Sequence, residues 1–406
     1  MFDLVIYGAT GFTGSLAVQY VSQQYGNSIN WAIAGRSKGK LEAVLANHTA
    51  TLKTAIPIIL ADSDDKRSLQ KMCSQTSSIA TSAGPFARYG TLLVECCAES
   101  GTHYCDITGE TSWVRDMIAN YDDKARKSGA MIVSLCGHDS IPWDLSTFLL
   151  AKKLKESHNE NLVSVDFYDV IKSAPSGGTL EIAFGIMFGK EKGLKKSAAQ
   201  KALGYDPLLK RADGSSSKAG MVVRNIAVLS TAGKKVRTMF FMAGVNAYSV
   251  KRSNALNNYC GDNNKMTYIE GQSFDGLLAA LLNLLGYLVL GIFLYIPPLR
   301  YLLRKFVLPK PGEGPSDESM AEGFLHLTGY AKGSNGTEIG STMSFNVDPG
   351  YKDTARMLVE SALSLSIGDG EGVKVGSGGG CFTPGACQKE VLMTRLLRTG
   401  TTFSFH

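Results

Sequence analysis

Two short polar runs carry the side chains best suited to moving a proton. One is His103-Tyr104-Cys105-Asp106-Ile107-Thr108-Gly109-Glu110, the other Cys136-Gly137-His138-Asp139-Ser140-Ile141-Pro142-Trp143-Asp144. Phenol, imidazole and carboxyl groups are the usual general acids and bases. Tyr104, Asp106, His138 and Asp139 are therefore the candidates for proton transfer or for hydrogen bonding a substrate. Ser140 and Pro142 have a plainer use, as the cap and first turn of a helix, which does not account for His138 and Asp139. A third run, Gly8-Ala9-Thr10-Gly11-Phe12-Thr13-Gly14, holds no acid or base. Its glycines allow a tight turn in which backbone N–H groups approach a pyrophosphate, with a helix N-terminus behind.

These runs need strands to carry them. The apolar Phe2–Tyr7 segment reads as a buried parallel strand leading into the glycine turn, and Leu16, Ala17, Tyr20 and Val21 follow at helical spacing. The GxxGxxG spacing is a variant of the dinucleotide fingerprint, so Gly8, Thr10, Gly11, Phe12, Thr13 and Gly14 are assigned to cofactor binding. A second strand, Trp31 to Gly35, ends in Arg36-Ser37. A carboxylate at this point would accept from an NAD ribose hydroxyl, whereas a guanidinium and a hydroxyl suit a 2′-phosphate. NADP is the expected cofactor, with NAD open if Arg36 only stacks on the adenine or faces solvent. A third strand, Ile56 to Leu60, leads to Asp62, which either meets the adenine edge or caps the helix starting near Asp65. A fourth, Ser78 to Thr81, leads to a small-residue turn in which Gly84 and Pro85 bring the backbone to the nicotinamide ribose. Further alternation follows: a helix over Tyr89–Ser100, a strand around His103–Asp106, a helix near Trp113–Ser128 and a strand over Ala130–Leu135. It predicts an α/β, Rossmann-like doubly wound parallel sheet with both proton-moving runs at strand ends, where ligands of open α/β sheets bind.

The 406 residues, 44% hydrophobic and 19% charged, suit two domains. A net charge of +6, with basic residues dispersed rather than interleaved with aromatics, argues against nucleic-acid binding. The basic run Lys190 to Lys196 reads as a solvated face. Eight cysteines show neither CxxC pairs nor His/Cys metal spacing, so no metal and no disulfide framework are expected. With a strand starting at residue 2, a leader peptide and secretion are not expected.

GATGFTG (8–14), AGRS (34–37), GPF with YG (84–90), YCDITGE (104–110) and GHDSIPWD (137–144) stand in an order that resembles the saccharopine dehydrogenase-like oxidoreductases, a family that includes trans-acting enoyl reductases. The likeness continues through Ser176–Thr179, Pro311–Ser316 and Thr383–Gly385 and so covers nearly the whole chain. It implies a Rossmann domain, an α+β domain with a mixed sheet, and nicotinamide-dependent redox chemistry linked to lipids. His138 stands where the family commonly has Phe, and Trp143 where a small residue is usual.

From about Leu162 the pattern changes. Leu162–Val170, Thr179–Phe188, Val236–Met242, Phe324–Tyr330 and Glu338–Asn346 read as strands without regular helices between them, an antiparallel or mixed sheet. The expected division is a Rossmann domain over 1–152 and an α+β substrate or dimerisation domain over 153–382. The C-terminal helix within 383–406 is expected to pack back on the first domain, and a homodimer is possible on this division. Leu277 to Ile296 is almost wholly apolar and long enough to span a bilayer. Pro297-Pro298 ends it, and Arg300, Arg304 and Lys305 follow. Strands on both sides belong to one domain in this reading. The membrane-associating segment, 277–308, is therefore expected to lie in the interface, with a span, a buried helix and a dimer contact left open.

The expectation is an NADP(H)-dependent oxidoreductase that reduces an apolar, lipid-derived carbonyl or enoyl substrate. Its place would be the cytosolic face of a membrane or lipid droplet. The alternative is a membrane-associated, cofactor-binding scaffold or redox sensor without turnover.

Overall fold

A computed structural model describes residues 1–173, 197–225, 230–232, 235–306, 314–376 and 378–406. The first half alternates as the sequence predicts: β1 (Leu4–Tyr7), α1 (Phe12–Gln24), β2 (Trp31–Gly35), α2 (Lys38–His48), β3 (Ile58–Leu60) and α3 (Lys66–Cys73). Then come β4 (Ser78–Thr81), α4 (Phe86–Tyr89), α5 (Thr91–Ser100), β5 (His103–Asp106), α6 (Thr111–Ser128), β6 (Met131–Val133) and α7 (Ile141–His158). The second half contains β7 (Leu162–Lys172), α8 (Ala198–Leu203), β8 (Gly220–Asn225), β9 (Ser230–Ala232), β10 (Lys235–Thr238) and α9 (Ala243–Asn257). It continues with β11 (Lys265–Phe274), α10 (Leu277–Tyr295), α11 (Pro297–Phe306), α12 (Asp317–Ala321), β12 (Phe324–Gly333) and β13 (Glu338–Phe345). The chain ends with α13 (Lys352–Ile367), β14 (Gly380–Phe382), α14 (Pro384–Cys387), α15 (Lys389–Arg398) and β15 (Thr402–Phe405).

The first sheet runs β3-β2-β1-β4-β5-β6-β14, every pairing parallel. Its inner strands are buried on both faces, hence their continuous apolar runs, while Leu60 of the edge strand β3 is exposed. The order reverses between β1 and β4, which places the crevice for a dinucleotide beside the glycine turn and the Ser82–Pro85 turn. Two elements of this layer come from the far end of the chain. β14 pairs with the β6 edge, and α13 packs on α1, β4 and β5. Buried Glu360 on α13 ties the layers, accepting from Tyr20 at 2.5 Å, Tyr25 at 2.7 Å and Arg395 of α15 at 2.7 Å.

The second sheet runs β15-β13-β12-β7-β11-β10-β9, with β8 also paired to β11. It is mixed: β7–β11 and β8–β11 are parallel, and the other pairings are antiparallel. The expectation that regular helices are missing here fails, because α9 and α13 are long and largely buried. Both mix small and polar residues with apolar ones, which hid their period. The strand expected over 179–188 and the Ser176–Thr179 motif lie outside the described residues, as do Pro311–Glu313.

α10 rests on β10 and β11 with only Ala280 and Leu294 buried. Polar contacts pin its underside: Asn283 Oδ1 accepts from Thr238 at 3.1 Å, and Tyr287 donates to Gln272 at 3.2 Å. The strands that enter and leave the α10–α11 segment, β11 and β12, both hydrogen-bond to β7.

Candidate active site

The glycine turn forms a cradle. Gly8 adopts φ +82°, and a Cβ there would lie 3.0 Å from Ala83. A Cβ on Gly14 would run into the Gly8 carbonyl, so this glycine is required for α1 to pack close behind the turn. Gly11 is different: an added Cβ meets only the Gly8 carbonyl, at 3.4 Å. Gly11 provides no side-chain cap for α1, so the first-turn N–H groups are free to receive an anion. Thr10 is exposed at the rim, and Thr13 is half-buried in the first turn. The Phe12 ring sits edge-on to Tyr351 at 5.4 Å and fills the space over Gly314, so a segment from the second half closes one side of the turn.

Arg36 is exposed at the end of β2, and Ser37 begins α2 without a side-chain capping bond. Burial, then the Asp62 charge, push the buried Tyr7 phenol up to about 12, with the Arg36 guanidinium acting in the opposite sense. Arg36 and Asp62 thus lie around one point at the ends of β1 to β3. The helix cap that competed for Asp62 belongs to Asp65, which accepts from Arg67 N–H at 3.0 Å. The Asp62 carboxylate accepts from Asp64 N–H at 3.1 Å. A cleft of about 310 Å³ opens beside it, lined by Ser63, Asp64, Ala87, Arg88, Leu92 and Glu95 among others. Gly84 and Pro85 lead into α4, whose first N–H groups are held by Glu110, at 2.6 Å to Phe86 and 2.9 Å to Ala87.

The four proton-transfer candidates do not come together. Tyr104 is wholly buried among apolar residues of α3, α5 and α6, with burial and the neighbouring Asp106 charge raising its phenol. It has no opening to the crevice. Asp106, fully buried, accepts from Thr108 N–H at 3.1 Å, Leu135 N–H at 3.2 Å and the Ser134 hydroxyl at 3.2 Å. Burial outweighs those bonds and lifts its carboxyl to about 6. These bonds make Asp106 a clamp on the loop after β6, where Leu135 takes φ +66°. A left-handed non-glycine residue is a strained conformation that needs such support.

His138 and Asp139 sit beyond that clamp, at the carboxyl end of β6. Both His138 ring nitrogens are buried without a hydrogen-bond partner, and burial lowers the imidazole to about 3. It is neutral at physiological pH and can donate or accept, but not act as a cation. Asp139 Oδ1 lies 4.0 Å from His138 Nε2, with 26% of its side chain open. The enclosing protein still lifts its carboxyl to about 7. An acid so poised can hold a proton and give it up near neutrality.

Sequence reasoning singled out Trp143 behind this pair but missed two carboxyls. Trp143 meets the His138 ring edge-on at 5.1 Å and donates from Nε1 to Asp169 at 3.2 Å. Asp169 on β7 and Glu270 on β11 are both buried, on one inward face of the sheet. The signal was available: Val165, Phe167 and Asp169 alternate inward, as do Met266, Tyr268 and Glu270, placing carboxyls on apolar faces. Asp144 is structural, accepting the Gly385 N–H at 2.7 Å.

Known proteins share this fold. The family model described as the saccharopine dehydrogenase NADP binding domain matches residues 4–133. A trans-acting enoyl reductase of Mycobacterium ulcerans is 32% identical over 99% of this chain and 97% of its own. One of Mycobacterium tuberculosis (strain H37Rv) is 31% identical over 98% of this chain and 96% of its own. The saccharopine dehydrogenase (L-Glu forming) of Saccharomyces cerevisiae shares the fold across the full length of both chains, with a TM-score of 0.52 at 12% identity. The glycine cradle and the Arg36-Ser37 rim fit NADP, the cofactor of the matched domain. The chain belongs to the saccharopine dehydrogenase-like family of NADP-binding oxidoreductases, alongside the trans-acting enoyl reductases.

Proposed function

We propose that the protein reduces an apolar, lipid-derived enoyl or carbonyl substrate while docked on the cytosolic face of a membrane or lipid droplet. NADPH, held by the glycine turn with its 2′-phosphate at Arg36 and Ser37, supplies the hydride. Asp139 donates the proton, and neutral His138 hydrogen-bonds the polar end of the substrate.

The observation that carries this reading is α10. A nineteen-residue helix of mean hydropathy 2.4 runs along the outside of the protein with only Ala280 and Leu294 buried and Leu278 72% exposed. An exposed apolar patch of this kind marks a contact surface for a membrane or another protein. A single crossing would put β11 and β12 on opposite sides of the bilayer, and both pair with β7. In-plane docking keeps that sheet whole. Rings also lead inward from the helix. Tyr287 meets Phe241 at 6.3 Å, Phe241 meets Phe240 at 5.3 Å, and Phe240 stacks on Trp143 at 5.9 Å. His138 stands at their inner end. The names of the enoyl reductase relatives support the same reaction class.

The test is NADPH consumption by the full chain on vesicles carrying membrane lipid extract, with flotation of the protein followed in parallel. Oxidation of NADPH that depends on the extract supports the reading. Flotation and NADPH binding without consumption would point to a cofactor-binding scaffold or redox sensor instead.

A further inference from the structure

The Ser82–Pro85 turn meets the crevice with short side chains and with Gly84 and Pro85 exposed. Its first half is tied to the nucleotide side. Ser82 N–H donates to the Tyr7 carbonyl at 3.2 Å, Ala83 N–H donates to the Thr81 hydroxyl at 3.2 Å, and Ala83 abuts Gly8. Its second half is tied to the next strand end instead. Phe86 N–H and Ala87 N–H donate to the two carboxylate oxygens of Glu110, at 2.6 Å and 2.9 Å, and Glu110 is 5% exposed. Two N–H groups converging on one carboxylate fix direction as well as distance. The buried Phe86 ring also packs on Trp113 of α6, at 5.8 Å between centroids.

Glu110 is itself braced from β5. Its N–H donates to the Thr108 hydroxyl at 3.0 Å, and Thr108 N–H donates to Asp106 at 3.1 Å. The same Asp106 oxygen accepts from Leu135 N–H at 3.2 Å. The loop after β6 also packs against this stretch, since a Cβ on Gly137 would lie 3.2 Å from Ile107. Hydrogen bonds through residues 106–110 therefore join Phe86 to Leu135, from which the His138–Asp139 loop departs.

We propose that Glu110 is a positioning residue for the nicotinamide end of NADPH. It holds the exposed Gly84–Pro85 backbone at the crevice, and the Asp106–Thr108–Glu110 chain sets the distance from that backbone to His138 and Asp139. Glu110 acts through the turn and does not touch the cofactor. The adenine end depends on other residues, the glycine turn and the Arg36-Ser37 rim. The inference rests on the cofactor orientation of the reading above, with the nicotinamide ribose at the Ser82–Pro85 turn.

The test is equilibrium binding of two ligands by the full chain: NADPH, and 2′,5′-ADP, which carries the adenosine and the 2′-phosphate without the nicotinamide. No turnover is involved, so the result does not depend on the protein being a reductase. Glu110→Ala is expected to weaken NADPH about tenfold or more and to leave 2′,5′-ADP within about twofold of wild type. The emission of bound NADPH, which reports the surroundings of the nicotinamide ring, should move toward that of the free cofactor. Glu110→Gln keeps one accepting oxygen and should fall between; it also serves if the alanine variant does not fold. Thr108→Val removes the acceptor of Glu110 N–H and should reproduce the split more weakly. A loss shared equally by both ligands would show that Glu110 only supports the fold. NADPH affinity unchanged in a folded Glu110 variant would show that the turn needs no such support. Either result overturns the proposal. Arg36→Ala isolates failure of the cofactor reading: it should weaken both ligands, and an effect on neither would overturn the orientation on which the proposal depends.

Discussion

The Asp106 carboxylate accepts the backbone N–H of Leu135 at 3.2 Å, and Leu135 is the left-handed residue from which the His138–Asp139 loop departs. One buried acid on β5 thus sets the path of the loop after β6. Asp106→Ala should leave Leu135 N–H and the Ser134 hydroxyl buried without this acceptor and cost about 2–4 kcal/mol. Asp106→Asn, which keeps one oxygen, should cost less. Urea denaturation of the two variants is the measurement, and equal losses would show that the clamp does not depend on the number of acceptor oxygens.

Arg36→Ala should weaken NADPH binding about tenfold or more while leaving NADH binding unchanged, since a charge-assisted contact contributes about 1.5–3 kcal/mol. Calorimetric titration with both cofactors decides it. Equal wild-type affinities for the two would remove the basis of the NADP assignment at this rim.

The glycines of the turn should separate into two kinds. Gly11→Val has room in the fold and should melt near wild type yet lose cofactor affinity. Gly14→Ala drives a methyl into the Gly8 carbonyl and should lower stability itself. Thermal melts with and without NADPH distinguish them; a Gly11→Val protein that binds normally would sink the cradle.

Three carboxyls with raised native values give the fold a definite pH dependence. Asp169 rises from 3.8 to about 8, Asp139 to about 7 and Asp106 to about 6. The native state holds their protons more tightly, so their stabilising contribution is whole below about pH 4 and is lost as pH climbs through those values. His138 runs the other way: its contribution is present above about 6.5 and is lost toward 3. Relative to wild type, Asp169→Asn should therefore gain stability between pH 5 and pH 9, on the order of a few kcal/mol. Urea midpoints at both pH values would show it, and parallel pH dependences would refute it.

Changing Leu281, Leu285 and Leu288 to Ser should abolish flotation with vesicles and leave the melting temperature and NADPH binding intact. All three are largely exposed, and each contributes roughly 1.5–3 kcal/mol when buried in a bilayer. Flotation unchanged by the triple substitution would mean that α10 is not the docking element. Proteolysis near Lys210 and Glu318 on sealed vesicles checks the in-plane geometry, because protection of one site alone would indicate a crossing.

The first sheet was legible because parallel strands buried on both faces announce themselves as apolar runs, and Gly8–Gly14 marks the turn between them. Asp106 and Tyr104 were legible as chemistry but are used as structure, since a strand-end residue can face inward as easily as outward. Asp169 and Glu270 are legible only through the phase of their strands, which Val165 with Phe167 and Met266 with Tyr268 set. α13 was lost for a related reason: it is buried nearly all round, so the polar face that marks a surface helix is absent.

The pairing of β14 with β6, and the seat of α13 on α1, make the cofactor layer dependent on chain that is synthesised long after the glycine turn. During translation the glycine turn emerges first but has no finished sheet behind it until residues past 380 leave the ribosome. A premature stop ahead of β14 should then remove NADP binding as surely as a change at Gly14, although Gly8–Gly14, Arg36 and Ser37 would still be present.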